Sequence, residues 1–160
     1  MKQEYCENIS FRPVKTEDYD FLYKLHVATM KDYVKETWGW NEDSQRDMFK
    51  KKFNPQEIEI ITFKKKDIGM IIIENGEEDI FLRSIEIAPE YQKKGIGTYI
   101  VQAIINNAAR KAKPVFLYVL KVNPAQKLYE RLGFEKVGET TTHNVMKTQA
   151  FLEKQSEEAI

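Results

Sequence analysis

The stretch from Asp79 to Leu120 limits the possible folds more than any other part of the chain. It starts with a strand pattern at Asp79–Ala88 and passes through a glycine-containing loop into an apolar helical repeat from Gly97 to about Lys111. It ends in Val115–Leu120, whose continuous apolar character is typical of a buried strand with a parallel neighbour. The order strand, helix, strand therefore predicts a sheet with a helix packed on it.

The residues before this stretch carry helix and strand signals in a different order. A short strand, two helices and two further strands are predicted at Ile9–Arg12, Thr16–Glu36, Glu42–Lys52, Glu57–Phe63 and Ile68–Glu74. Thr16 is the expected N-cap of the first helix. Asn75-Gly76 is a strong hairpin signal, so the three strands from Glu57 to Ala88 are expected to form an antiparallel meander.

The residues after Leu120 predict a short helix and a final pair of strands. Asn123 is the expected N-cap, Pro124 suits the first helical position, and Gly133 suits the C-terminal cap. Two antiparallel strands follow at Phe134–Glu139 and His143–Thr148. The chain is thus expected to be a single α+β domain over residues 1–148, with a polar tail at 149–160.

Composition excludes several classes of function. The chain has 25 basic and 25 acidic residues, so no overall field favours nucleic acid or an anionic membrane as partner. Cys6 is the single cysteine, which excludes an internal disulfide and a cysteine-based zinc site. No signal peptide or membrane span is evident. We therefore expect a cytoplasmic protein that uses no metal.

The loop in the first stretch has the features of an anion site. It reads Gln92-Lys93-Lys94-Gly95-Ile96-Gly97-Thr98 and lies where a strand gives way to a helix, so backbone N–H groups and the positive helix end are available. A Walker loop needs four residues between its glycines, and a dinucleotide fingerprint needs a third glycine where this chain has Ile100. Both of these phosphate loops are excluded.

Two motifs together resemble a known family. Gln-x-x-Gly-x-Gly, preceded by Ile85-Glu86-Ile87-Ala88-Pro89-Glu90-Tyr91, is similar to the acetyl-CoA pyrophosphate loop of the GNAT superfamily of N-acetyltransferases. The segment Asn123–Phe134 resembles that superfamily's Asn-x-x-Ala-x-x-Leu-Tyr-x-x-x-Gly-Phe motif at the expected distance. The resemblance implies a mixed, mostly antiparallel sheet of about seven strands flanked by about four helices. It also implies that the sheet is splayed between the fourth and fifth strands.

The resemblance further implies how acetyl-CoA, the cosubstrate, is bound. Backbone atoms of Ile85 and Ile87 would bond the pantetheine arm as an added strand would. The pyrophosphate would rest on backbone N–H groups of the loop that Gln92 opens, with the two lysine side chains adding charge. The residues implied for this seat are Lys93, Lys94, Gly95, Ile96, Gly97 and Thr98. Asn123 would fix the acyl or pantetheine end.

The implied reaction is direct attack of a neutral amine on the thioester. Tyr129 matches the family's general acid by position, although a tyrosine on this apolar stripe could also serve packing alone. Three residues are candidates for the general base, namely Asp79, Glu86 and His143, and water could serve instead. His26 lies on the apolar stripe of the first long helix and is expected to be a core histidine with its polar atoms satisfied.

The acceptor is expected to be a small-molecule or peptide amine. Trp38, Trp40 and His143 are the candidate contacts, because indoles flanked by acidic residues suit a cation. The same two tryptophans could instead close the ends of the neighbouring helices. Two other functions are the alternatives: a CoA-binding or sensor module without turnover, against which Tyr129 argues, and an interaction protein with an empty cleft, which the intact Gln92–Gly97 loop disfavours. Relatives often pair through their late strands, so a homodimer is a further expectation.

Overall fold

The computed structural model describes residues 2–149 of the chain. Five α-helices, α1 to α5 in chain order, span Lys2–Asn8, Tyr19–Trp38, Glu42–Lys52, Ile96–Arg110 and Ala125–Arg131. Seven strands, β1 to β7, span Ile9–Pro13, Glu59–Phe63, Lys66–Asn75, Ile80–Ile87, Val115–Leu120, Glu135–Glu139 and His143–Lys147. Short 3-10 turns occupy Thr16–Asp18 and Pro89–Tyr91. The predicted tail lies outside the described residues from position 150 onward.

The seven strands form one sheet in the order β1-β2-β3-β4-β5-β7-β6. β4 and β5 are parallel, and their paired positions are Ile80 with Val115 and Phe81 with Phe116. β1 with β2, β2 with β3, β5 with β7 and β6 with β7 are antiparallel. The α+β class and the mostly antiparallel sheet are thus confirmed. No helix within residues 2–149 is long and apolar enough to cross a bilayer.

The chain forms two compact units. Within the described residues, the first contains residues 2–72 and 84–96, and the second contains residues 73–83 and 97–149. The core of the first unit is built from α2 and the strands β2 and β3, through Leu22, Leu25, Ile58, Ile60, Met70 and Ile72. Phe49 of α3 and Phe53, directly after that helix, pack against this cluster. The buried residues of β2 and β3 are consecutive, at Ile60–Thr62 and Ile68–Ile72, as expected where both faces of a sheet are covered.

In the second unit, α4 buries the apolar stripe that its sequence predicts, through Ile100, Val101, Ile105 and Ala108. β5 buries Val115, Leu117, Val119 and Leu120, as expected for an inner strand. Gly133 follows α5 with φ of 98°, so the predicted C-terminal glycine cap is confirmed. The prediction of one domain over residues 1–148 stays a prediction.

One local prediction is corrected: Thr16 is the first residue of a 3-10 turn, and its N-cap is Lys15. The predicted turn between β3 and β4 lies at residues 76–79, after Asn75 ends β3, and is closed by a bond from the Gly76 N–H to the Asp79 carbonyl at 2.9 Å. The five helices of the described residues agree with the expected number of about four, and the additional one is α1, which carries no recognisable apolar stripe.

Gly69 lies in β3 where the backbone of β4 comes very close. A Cβ atom at this position would lie 2.3 Å from the carbonyl oxygen of Glu86, which no real side chain can do. Close to this point, the N–H of Ala88 donates a hydrogen bond to the carbonyl of Ile68 at 2.7 Å. Glycine is therefore required at position 69 by close approach of two backbones.

Candidate functional site

The glycine loop lies exposed between the 3-10 turn Pro89–Tyr91 and α4. Lys93 has φ of 60° and Gly95 has φ of 85°, so left-handed residues alternate with ordinary ones along the loop. Such alternation is a backbone conformation that can turn successive N–H groups toward one side. The N–H groups of Ile96, Gly97 and Thr98 begin α4 and have no partner within the helix. The predicted order of strand, loop and helix is confirmed.

The loop is fastened on both sides by side chains. Gln92 Nε2 donates to the carbonyl of Ile87 at 2.8 Å, which ties the loop to the end of β4. On the other side, the hydroxyl of Tyr5 donates to the carbonyl of Lys94. Tyr5 is buried, and its ring packs edge-on against Phe63 with centroids 5.9 Å apart. The first helix is thus part of the loop's support, which sequence reasoning did not find.

Ile85 and Ile87 are half-buried, whereas Glu86 between them is 8% exposed. The parity of the strand places Glu86 on the opposite face, as predicted, and that face is the well-covered one. Glu86 Oε1 lies 3.1 Å from His26 Nδ1 and 3.1 Å from the hydroxyl of Thr29, both on α2. His26 therefore has a partner, as predicted, but it is not a core residue, since 25% of its side chain is exposed.

Tyr129 lies on α5 and is buried, and its ring packs edge-on against Phe134 at 5.6 Å between centroids. Its hydroxyl has no hydrogen-bond partner among residues 2–149. Burial raises the pKa of Tyr129 to about 12. The hydroxyl is therefore protonated throughout the physiological pH range and is able to donate a hydrogen bond.

Asn123 lies just before α5 and helps to start it. Its Oδ1 accepts from the N–H of Ala125 at 2.9 Å, although Pro124 rather than Asn123 is the N-cap by backbone geometry. The side chain is half-buried. One of the two acceptor positions of its amide oxygen is thus used locally.

His143 opens β7, as predicted, and its Nδ1 lies 2.8 Å from the hydroxyl of Thr142. Partial burial lowers the pKa of His143, so its neutral form is favoured at neutral pH. A neutral imidazole can accept a proton, which keeps His143 among the base candidates. Its ring also lies 6.5 Å from that of Tyr118 in β5, which is exposed.

Asp79 immediately precedes β4, while Ile85 and Ile87 are at the end of that strand. Its carboxylate lies 3.9 Å from Lys147 Nζ. It lines a pocket of about 650 Å³ that also contains Glu77, Glu78 and Lys113. These neighbours surround Asp79 with charge of both signs at the start of the strand.

The two tryptophans have different environments. Trp38 ends α2 and is 59% exposed, whereas Trp40 donates its indole N–H to Glu42 Oε2 at 2.8 Å. Lys31 Nζ lies 5.5 Å from the centroid of the Trp40 ring. Glu42 also accepts from the hydroxyl of Tyr23 at 2.8 Å. These two hydrogen bonds, from the indole first, lower the pKa of the Glu42 carboxyl.

Metal ligands are not gathered anywhere in the described part of the chain, where no group of three or more His, Cys, Asp and Glu side chains could hold an ion.

Solved structures with a similar fold are numerous. The PaiA N-acetyltransferase of Thermoplasma acidophilum, in complex with coenzyme A, is 17% identical with a TM-score of 0.70, over 88% of this chain and 98% of that one. An acetyltransferase of Thermus thermophilus is 19% identical with a TM-score of 0.65, over 88% and 96%. The ribosomal-protein-S18-alanine N-acetyltransferase of Escherichia coli is 19% identical with a TM-score of 0.57, over 87% and 90%. At these identities the likeness concerns the fold.

The sequence comparison identifies the family directly. Among curated proteins no match to this sequence is found. A family model of the acetyltransferase (GNAT) domain, however, matches residues 56–136, which is half of the chain and includes the loop and α5. The chain therefore belongs to the GNAT acetyltransferase family.

Proposed function

We propose that this protein is an N-acetyltransferase that moves an acetyl group from acetyl-CoA to a primary amine of a small molecule or peptide. The observation that carries this proposal is the glycine loop, with left-handed residues at Lys93 and Gly95 directly before the start of α4. This geometry fits a pyrophosphate, because several N–H groups converge and the helix end is positive. The side chains of Lys93 and Lys94 would add two cations at the same place.

The cosubstrate would continue from this seat along β4. Backbone atoms of Ile85 and Ile87 would bond the pantetheine arm, and the NH₂ group of Asn123 would contact its acyl end. One of the similar structures is in complex with coenzyme A, which supports a CoA-type cosubstrate for this chain. Two of those structures are N-acetyltransferases, which supports an amine acceptor.

Tyr129 would assist the departure of the sulfur. As the amine nitrogen bonds to the thioester carbon, the carbon–sulfur bond breaks and the sulfur becomes a thiolate that needs a donor. The pKa of Tyr129 is raised to about 12, so the hydroxyl stays protonated and donates a hydrogen bond to the thiolate. Complete proton transfer to a thiolate, whose acid has a pKa of about 8.5, would be uphill. Tyr129 therefore acts mainly by stabilising the developing negative charge.

The base and the acceptor contacts remain part of the proposal. Among the three candidates for the base, Glu86 is the buried one and His143 the one whose pKa is lowered, while Asp79 lies at the far end of its strand from Ile87. Trp38 and Trp40 would contact the acceptor amine. A single domain over residues 1–148, a cytoplasmic location and a homodimer belong to the same proposal.

Two measurements test the proposed function. Calorimetry with acetyl-CoA should give a single binding site, and its absence would exclude both an enzyme and a CoA-binding module. Release of free thiol across a panel of polyamines, amino sugars, amino acids and peptides should identify an acceptor. Binding of acetyl-CoA without thiol release on any of these amines would leave a CoA-binding module as the function.

A further inference from the structure

A histidine and a buried carboxylate meet in the first unit, brought together by α2 and β4. His26 Nδ1 lies 3.1 Å from Glu86 Oε1, and the two residues are 60 positions apart in the chain. The side chain of Glu86 is 7% exposed, whereas that of His26 is 25% exposed. Glu86 is thus enclosed, and the imidazole is the more exposed member of the pair.

The count of donors around Glu86 indicates which ring nitrogen carries the proton. An ionised carboxylate can only accept, so a buried one requires donors. The hydroxyl of Thr29 has a single proton and three acceptors within reach, namely the carbonyls of Leu25 at 3.0 Å and His26 at 3.5 Å and the carboxylate of Glu86 at 3.1 Å. His26 is therefore the main donor, with its proton on Nδ1. The lone pair of a neutral ring is then on Nε2.

The rest of the surroundings is aromatic. The imidazole lies 6.5 Å from the Trp40 ring and 5.5 Å from the Phe49 ring, measured between centroids, and is inclined to both by about 30°. The charged groups around it are Glu86 from β4, Glu42 from α3 beside the Trp40 indole, and Lys31 from α2 over the same indole. Nε2 is thus the free basic atom of an aromatic-walled site backed by a carboxylate.

We propose that His26 is the proton acceptor of the transfer reaction and that Glu86 is its positioning residue. The inference rests on the proposed function and specifies one of its steps. A protonated acceptor amine gives up two protons overall when it becomes an amide. One passes to Nε2 of His26 and on to solvent, and one ends on the sulfur of the released thiol, so the step is balanced. Glu86 holds the ring by its Nδ1 proton and stabilises the cation that forms.

The geometry also explains why Glu86 does not act directly. A base must come within hydrogen-bond reach of the proton that it takes. Glu86 is covered by α2 and already bonded to two of its side chains, while His26 keeps an exposed edge. The carboxylate and the imidazole thus act as one unit, of which the imidazole contacts the substrate.

The first experiment measures the tautomer and does not depend on activity. The chain has two histidines, so a ¹⁵N spectrum of the His143→Gln variant contains the signals of His26 alone. At a pH where the ring is neutral, Nδ1 should be protonated and Nε2 bare. In the double variant with Glu86→Gln this preference should be lost. A proton on Nε2 in the single variant, or no change in the double variant, would overturn the inference.

The second experiment measures turnover with the best amine of the panel. His26→Asn places an amide NH₂ near the position of Nδ1, so it keeps a donor for Glu86 and removes the basic Nε2. It should lower kcat by 10²-fold or more, remove the acidic limb of the pH profile, and leave acetyl-CoA affinity unchanged. His26→Gln provides a second variant should the first fail to fold. Glu86→Gln should lower kcat less than His26→Asn does, and it should shift the acidic limb of the pH profile.

The outcomes separate this inference from the function on which it rests. Suppose that wild type turns over normally but the acidic limb of its pH profile survives in His26→Asn, or disappears in His143→Gln instead. Either result would overturn the role of His26 and leave the acetyltransferase function intact. Acetyl-CoA binding by wild type without turnover on any amine would overturn both. Loss of the limb in His26→Asn alone, with folding and acetyl-CoA binding intact, would establish the inference.

Discussion

The hydroxyl of Tyr5 donates a hydrogen bond to the backbone carbonyl of Lys94, and so the first helix is tied to the glycine loop. The ring of Tyr5 is held by Phe63, which in turn lies 6.3 Å from the ring of Tyr91 between centroids. An ion pair between Glu4 and Lys64 at 3.1 Å fastens the same helix a second time. The helix is therefore expected to preorganise the loop.

Replacing Tyr5 with Phe should weaken acetyl-CoA binding several-fold. The ring contact with Phe63 is kept, while the bond that holds the Lys94 carbonyl is lost, so the loop must be ordered at the expense of binding free energy. Calorimetry measures the affinity. Tyr19→Phe is a matched control, since Tyr19 packs against Phe49 and Phe53 away from the loop. Equal affinity for wild type and Tyr5→Phe would show that the loop is rigid without α1.

Gly95→Val should reduce acetyl-CoA affinity by at least tenfold. A Cβ at this position meets the Tyr5 ring at 3.7 Å, an ordinary contact, so the loss comes from the backbone, because a branched residue disfavours φ of 85°. Gly39→Val provides the comparison, with φ of 83° and nothing within 4 Å of its Cβ. Both variants should lose similar stability, and only the first should lose affinity. Retained affinity in Gly95→Val would place the pyrophosphate elsewhere.

Tyr129→Phe should lower kcat by roughly 10²-fold while acetyl-CoA binding changes little. The substitution keeps the ring that packs against Phe134 and removes only a hydroxyl without a partner among the described residues. Steady-state kinetics with the best acceptor and calorimetry give the two numbers. Losses of equal size in both would indicate that Tyr129 serves packing.

The raised pKa of Tyr129 also makes stability depend on pH. Its pKa is about 12 in the folded protein and about 10 in the unfolded chain, so above pH 10 the unfolded state loses the proton first and is favoured. The contribution to the free energy of unfolding falls by about 1.4 kcal/mol at pH 11. Urea unfolding at pH 9 and pH 11 should show that Tyr129→Phe loses less stability than wild type. An identical loss in both would contradict burial of the hydroxyl.

Arg12 holds two carboxylates at the start of the first unit. Its guanidinium bonds both oxygens of Asp18 at 2.9 Å and reaches Asp67 at 2.8 Å. The bond from Arg12 lowers the pKa of the buried Asp18 carboxyl, so the stabilisation is present above about pH 4 and is lost as pH falls further. Arg12→Met should cost about 2–3 kcal/mol at pH 7 and less at pH 3, measured by urea unfolding. Asp67→Asn, at the exposed end, should cost under about 1 kcal/mol.

Much of the fold could be predicted because its signals are local. The bounds of α3 and β5 match the predicted ranges, and those of α4 differ by one residue, since apolar periodicity and flanking prolines are visible in the sequence. The glycine loop was recognisable for the same reason. α1 was missed because seven residues, of which Tyr5 alone is buried and aromatic, give no periodic pattern.

The candidate site was harder to predict, because its contacts join distant parts of the chain. Strand parity correctly placed Glu86 opposite Ile85 and Ile87, but no local pattern could show that His26 would meet it from 60 residues away. The two tryptophans were treated alike, while in the structure the Trp40 indole donates to Glu42 and Trp38 is 59% exposed. Pairing at this range is decided by tertiary packing.

Gly69 has a consequence for any screen of random variants of this protein. Its neighbour across the sheet is the backbone of Glu86, at a separation that admits hydrogen only. A mutation to alanine would push that strand outward and carry the Glu86 carboxylate away from α2. The variant would lose activity as a variant of a catalytic residue does, although residue 69 contributes no reactive atom. A selection for function should therefore find position 69 invariant, and the cause would be distance between backbones.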